Sequence, residues 1–325
     1  MKNLVAYVIS DLHINDWAKF NAEDSRTLNQ LKVLELLLNK SQEERIPLLF
    51  CGDLFHKPDM IRPELLNLCT QYLKDNVGLQ TCMGYPVMYS ISGNHDINHV
   101  SKVNECPVSW IKLFSPIFTW MKCIDFTSIL INDQIMIHGV PYIDHNIGLS
   151  DYLNKISLNP KLKHILLLHT DYPGAKDTDG REVGSVENLN LNVLNRFDLV
   201  LCGHIHKPQK LSKKVYMIGA PLQQRRTDRD CKLGYWKLFS DLSMTFVELK
   251  GFPKFIDVES QEEIKDDGNY YTILPKITSK PTENKHNITK QLTNKTLAKR
   301  YMKVKGIKDK NKEQLLIKVL KEADQ

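Results

Sequence analysis

An α/β layered fold is what this chain of 325 residues predicts, and two observations predict it. Short apolar runs rich in Val, Ile and Leu end abruptly in polar or glycine positions, as buried strands do. Between the early runs lie segments with apolar residues at helical spacing, and strands alternating with helices argue for a layered α/β architecture.

The first strand is expected at Leu4–Ile9, and it stops at Asp11-x-His13. Leu28, Leu31, Leu34 and Leu38 then recur at helical spacing. A second strand at 46–51 stops at Gly52-Asp53-Leu54-Phe55-His56. Leu65, Leu68, Cys69 and Tyr72 mark a second helix, with Pro63 suited to its first turn, where no amide hydrogen is needed. A third strand at 87–91 runs into Gly93-Asn94-His95-Asp96. Runs at 135–137, 164–168 and 199–202 complete the buried set; the second of these ends in His169 and the third in Gly203-His204-Ile205-His206.

From Val215 the pattern changes. Segments 215–218, 235–238 and 244–249 read as closing strands with little helix between them. Gly251-Phe252-Pro253 punctuates the chain, and 255–258, 261–265 and 270–274 read as a small strand–helix–strand unit. Near the end, Leu316, Val319, Leu320 and Ala323 share one helical face, which either packs on its own domain or docks on a partner.

Composition sets limits. With 42% hydrophobic and 25% charged residues the chain reads as an ordinary soluble globular protein. It is long enough to bury a large core without disulfides or structural metals. No apolar run approaches the roughly 20 residues needed to cross a bilayer. The apolar start runs into Ser10-Asp11-Leu12-His13 with no small-residue cleavage pattern, so neither a membrane span nor a signal peptide is expected. The 7 cysteines are scattered without a C-x-x-C pair, which argues against a disulfide framework or zinc cage and for a reducing cytoplasm. The net charge of +6 is uneven: Leu274 to Gln325 holds 14 Lys/Arg against 5 Asp/Glu, the rest 30 against 33. A basic tail on a near-neutral body fits contact with a polyanion, and fits a solvated tail equally well.

Nearly every strand end carries a potential metal ligand, and in open α/β sheets ligands gather outside the carboxyl ends of strands. Asp, Asn and His without thiolates suit a borderline-hard divalent ion such as manganese, iron or zinc. Two ions about 3.5–4 Å apart clamp a phosphoryl group and hold a hydroxide between them. Such a pair needs a bridging carboxylate, for which Asp53 is the natural candidate.

The ordered set D-x-H, GD-x-x-H, GNHD, H and GH-x-H resembles the calcineurin-like metallophosphoesterase superfamily. Protein phosphatases of that superfamily carry GD-x-x-D-R-G and GNHE, whereas this chain reads GDLFH and GNHD. GDLFH resembles the nuclease subunit of the SbcCD type, shared by bacterial, phage, archaeal and eukaryotic break-repair complexes. Segment 217–221 is similar to that family's stretch closing the catalytic sheet, and 252–258 to its lead into a capping domain.

The resemblance implies a sandwich of two mixed β-sheets flanked by helices, with a small C-terminal cap. It implies two divalent ions, Mn2+ first among them: one at Asp11, His13, Asp53 and His206, the other at Asp53, Asn94, His169 and His204. His95 matches the general acid that protonates the leaving 3′ oxygen, a role suited to an imidazole with a pKa of about 6.5. His56 matches a histidine that helps place the phosphate. Asp96 orients His95 or caps a helix. The implied activity is a DNA exonuclease and endonuclease; the alternative is a phosphodiesterase or phosphatase on small nucleotides with the same metals. The implied partners are DNA, a coiled-coil ATPase of the SbcC kind bound through the tail, and a second copy of the chain, in a bacterial or phage-infected cytoplasm. The expected organisation is a catalytic domain over 1–250, a capping unit over 251–276, a linker over 277–287 and a basic helical tail over 288–325.

The remaining histidines carry no site spacing; His138 reads as a core or rim residue. Arg225, Arg226 and Arg229 read as a basic loop that touches a phosphate backbone or is simply solvated.

Overall fold

The computed structural model describes residues 2–77, 87–97, 109–115, 118, 120–183 and 189–274. The expected linker and tail helix lie outside them, as do His99, His286, Cys82 and Cys106. All the described strands belong to one compact unit, Met1–Leu274.

The first sheet begins with β1 (Leu4–Ile9), followed by helix α1 (Ser25–Glu44) and β2 (Leu48–Phe50). Helix α2 (Pro63–Asn76) starts on Pro63, as the missing amide hydrogen allows, and leads to β3 (Met88–Ser90). A short helix α3 (Trp110–Phe114) precedes β4 (Met121–Cys123). The chain then crosses to a second sheet with β5 (Thr127–Asn132) and β6 (Ile135–Gly139). After α4 (Leu149–Lys155) come β7 (Lys163–His169), β8 (Leu199–Gly203), the two-residue β9 (Gln209–Lys210) and β10 (Val215–Met217). It returns to the first sheet through β11 (Gly234–Phe239) and β12 (Met244–Glu248). β13 (Phe255–Val258) and β14 (Tyr270–Ile273) pair in parallel as a separate small sheet.

The two large sheets run β12-β11-β1-β2-β3-β4 and β5-β6-β7-β8-β10-β9, each mixing parallel and antiparallel neighbours. This is the expected sandwich, and its packing explains the unbroken apolar runs. Alternate side chains of β1 serve two different cores, because successive residues of a strand point to opposite faces. Ala6 and Val8 face the second sheet's Ile137, Ile165 and Leu201, whereas Tyr7 and Ile9 pack with Leu31 and Leu34 of α1 and Leu65 of α2. On the far side, Leu166, Leu168 and Val200 meet Leu149 and Leu153 of α4. Strands covered on both faces are apolar at most positions, and the few buried polar side chains on them, such as His138 and His164, are hydrogen-bonded.

Several elements differ from expectation: α3, β4 and the two-residue β9 were not anticipated, nor were β5 and α4. β5 escaped notice although it holds the apolar run Ile129-Leu130-Ile131; four of its six side chains, Leu130 among them, are exposed. Helix α4 is only 7 residues long, too short for its spacing to stand out. Between β13 and β14 stands a three-residue 3-10 turn, Gln261–Glu263, rather than a helix. Among the described residues no helix is long and apolar enough to cross a membrane.

Candidate active site

The loops leaving β1 and β2 zip together at the carboxyl edge of their strands. Asp11, His13 and Ile14 donate backbone N–H bonds to Gly52, Asp53 and Leu54 at 2.9, 3.0 and 2.8 Å. The turns are tight enough that Asp11, His13, Asp53 and His204 all adopt positive φ, at 53, 51, 62 and 95°. Non-glycine residues rarely accept that region, and such strain collects at functional sites. Behind them the Gly93 turn presses on Asp53: a β-carbon at residue 93 would collide with Asp53 Oδ1.

Asp96 clamps these turns together. Its carboxylate accepts N–H bonds from Asp53 (2.7 Å), Gly93 (3.0 Å) and Phe55 (3.1 Å), all from backbone. Burial and the charge of Asp53 push its carboxyl up to about 7, against amide donors that favour the anion. The Asp96 carboxylate thus holds the turn that carries His95, and among the described residues it makes no bond to the imidazole.

The seven expected ligand residues come together in two adjoining groups. Asp11, His13 and His206 form one; Asp53, His169 and His204 form the other. Asp53 Oδ2 faces both, 3.7 Å from His13 Nε2 and 3.3 Å from His169 Nε2. Asn94 Oδ1 completes the second group, 3.0 Å from His169 Nε2 and 2.9 Å from His204 Nδ1. In the first group His13 Nε2 and His206 Nε2 stand 3.1 Å apart.

These residues fit a pair of cations. Two donor atoms each about 2.1 Å from an ion and at right angles lie about 3 Å apart, the spacing seen here. The Asp11 and Asp53 side chains are buried, and among the described residues the charged groups within ion-pair distance of them are histidines alone. Buried carboxylates are expected to be paired or to bind metal. Proton accounting agrees. Because a carbonyl can only accept, His169 Nδ1–H donates to Cys51 O at 2.7 Å, which turns the Nε2 lone pair of the neutral ring toward two further acceptors, Asn94 Oδ1 and Asp53 Oδ2. The electrostatics carry the same demand for positive charge. Burial disfavours a charged His169, yet Asp53 and Asp11 lift it to about 9. Burial also opposes a charged Asp53, but His169 and His13 hold its carboxyl well below the usual range.

His95 and His56 sit beside the first group. The His95 backbone N–H bonds Asp53 Oδ1 at 2.8 Å, and its ring Nδ1–H donates to His56 O at 2.6 Å, leaving Nε2 without a hydrogen bond among the described residues. The His56 ring stacks on His95 with centroids 5.1 Å apart and planes 13° from parallel.

Two carboxylates at the site had no signal in the sequence. Asp171 Oδ1 stands 3.3 Å from His204 Nε2, and Asp228 Oδ2 stands 3.8 Å from His206 Nδ1. Asp228 lies within an arginine-rich stretch and is fully buried, accepting N–H bonds from Gln224 and Arg225. The arginines around it are neither free nor simply solvated. Arg226 holds Asp257 of β13 through two bonds of 2.5 and 3.0 Å, and Arg229 approaches the same carboxylate at 3.4 Å.

A two-sheet sandwich with such a centre at its strand ends defines a metal-dependent phosphoester hydrolase. The chain belongs to the calcineurin-like phosphoesterase family, whose model matches residues 4–208, a span holding all seven of these residues. Members of that family typically bind two divalent ions. Among solved structures, one from Thermus thermophilus is 14% identical over 76% of this chain and 99% of its own, with a TM-score of 0.42. Another is 10% identical over 76% of this chain and 98% of its own, with a TM-score of 0.39.

Proposed function

We propose that this chain is a two-metal DNA nuclease, with exonuclease and endonuclease activity, and serves as the nuclease subunit of an SbcCD-like repair complex. The observation that carries the reading is the pairing of His56 with His95 beside the Asp53-centred cluster. His56 belongs to the GDLFH form of the second motif, which separates the nuclease pattern from the phosphatase one.

Two divalent ions, Mn2+ in this reading, would polarise a phosphodiester oxygen and supply a nucleophile at neutral pH. Asp11, His13 and His206 would hold one, Asn94, His169 and His204 the other, and Asp53 both. Asp171, 3.3 Å from the outer nitrogen of His204, would orient that imidazole, and the charge of Asp228 faces His206 Nδ1 from 3.8 Å. His95 is held by its backbone and by Nδ1, so Nε2 is the nitrogen that presents a proton to the departing 3′ oxygen. In this reading segment 251–276 is a minimal cap, and the basic tail over 288–325 meets DNA or a coiled-coil ATPase.

Mn2+-dependent degradation of linear duplex DNA is the expected activity. His95→Ala is expected to slow it by roughly 10²–10⁴-fold with Mn2+ binding retained, and Asp53→Ala to abolish both. Undiminished nuclease activity in either variant contradicts the assignment.

A further inference from the structure

Behind the site a continuous stack of planar groups runs outward from His95 to the small C-terminal sheet. The Trp17 ring lies against the outer face of the histidine pair, 4.9 Å from the His56 ring and 36° from parallel to it. Its indole N–H donates to Gln30 Oε1 at 2.9 Å. The amide nitrogen of the same Gln30 bonds the carbonyls of Leu12 and His13 at 2.7 and 2.8 Å. Trp17 is thus registered to the loop that bears Asp11 and His13. On its other side the buried guanidinium of Arg26 sits 3.6 Å from the Trp17 ring centre. Arg26 is held in turn by Gln224 O at 2.5 Å and lies 5.5 and 5.6 Å from the rings of Phe255 on β13 and Tyr270 on β14.

This order of contacts matters because His56 holds His95 twice, by its carbonyl and by its ring. Anything that fixes His56 fixes the acid. Nothing in the chemistry of phosphodiester cleavage requires a tryptophan here, and Trp17 belongs to none of the motifs.

We infer that Trp17 is a positioning residue for His95: wedged between Arg26 and His56, it holds the histidine pair in register, so that the C-terminal strand pair sets where the acid points. This rests on His95 acting as the general acid, and the test separates the two claims. A general acid matters for the alkoxide that leaves DNA and hardly at all for a nitrophenolate, which departs without a proton. Rates with Mn2+ are therefore compared on linear duplex DNA and on bis(p-nitrophenyl) phosphate, using the full-length chain.

Trp17→Ala is expected to lose roughly 10-fold or more on DNA, part of the roughly 10²–10⁴ a placed general acid contributes, with little loss on the aryl diester. Mn2+ affinity by calorimetry is expected to stay at the wild-type value. Trp17→Phe keeps a stacking face and is expected to restore most of the DNA activity. Trp17→Leu, which fills the space without that face, replaces the alanine variant if the latter does not fold, and the same selective loss is expected. Equal losses on both substrates, or no loss on either, overturn the inference. His95→Ala serves as the reference. If it shows the selective loss and the Trp17 variants do not, the relay fails alone; if it shows none, the general-acid reading fails and the relay with it.

Discussion

On β6 and β7, His138 and His164 form a pair whose protons can all be assigned. Asn159 O accepts from His164 Nε2 at 2.9 Å, so His164 Nδ1 accepts from His138 Nε2 at 2.9 Å, and His138 Nδ1 accepts from Ser128 Oγ at 2.7 Å. With neutral rings every donor meets an acceptor. At the carboxyl end of β7, in the same sheet, His169 Nε2 instead faces two acceptors. His206 Nδ1 is buried with no hydrogen-bond partner among the described residues. Both clusters are buried histidines near carbonyls and polar side chains. What separates them is whether the network closes with neutral rings or only with an added positive charge, which the carboxylates around His169 favour. The closed one is architecture, and the open one calls for a cation.

The sharpest way to break this contrast is to remove a group that acts on the open cluster from behind. Asp228→Asn keeps an oxygen for the Gln224 and Arg225 amides but removes the charge facing His206. It is expected to weaken Mn2+ binding by about 10–100-fold, as loss of a carboxylate behind a ligand histidine does. Calorimetric titration checks this; an unchanged affinity means that Asp228 only braces the loop.

The closed cluster gives a smaller effect of a different kind. Burial, followed by the neighbouring His164, lowers His138 from 6.5 to about 4. The unfolded chain therefore binds a proton that the folded one refuses between these values, and stability falls as pH drops from about 6.5 to about 4. With solvent screening allowed for, the loss is about 2 kcal/mol. His138→Gln lacks that titration. The difference in unfolding free energy between wild type and variant is expected to shrink by about that amount over this interval. A difference that stays flat contradicts a neutral buried His138.

Sequence and structure diverge along the same line. Runs such as 165–168 were legible because strands covered on both faces have few polar positions to confuse the pattern, and all seven ligand candidates were legible because each follows such a run. β5 was not: its Ile129-Leu130-Ile131 run is short and sits on an edge strand with four of six side chains exposed. Nor were Asp228 and Trp17. An Asp among arginines reads as a surface charge, and its burial behind His206 depends on a chain reversal some 20 residues after that histidine. Trp17 acquires its place only when Arg26, His56 and β13 converge on it. Spacing reveals residues that a single strand end delivers; it is silent about those that several segments assemble.

The central claim is that Asp53 joins two cation sites, and anomalous diffraction from crystals soaked in Mn2+ tests it most directly. Two peaks are expected on either side of the Asp53 carboxylate, one among Asp11, His13 and His206, the other among Asn94, His169 and His204, with none at His138 and His164. No peak beside Asp53, or a peak at the His138–His164 pair instead, would contradict the account.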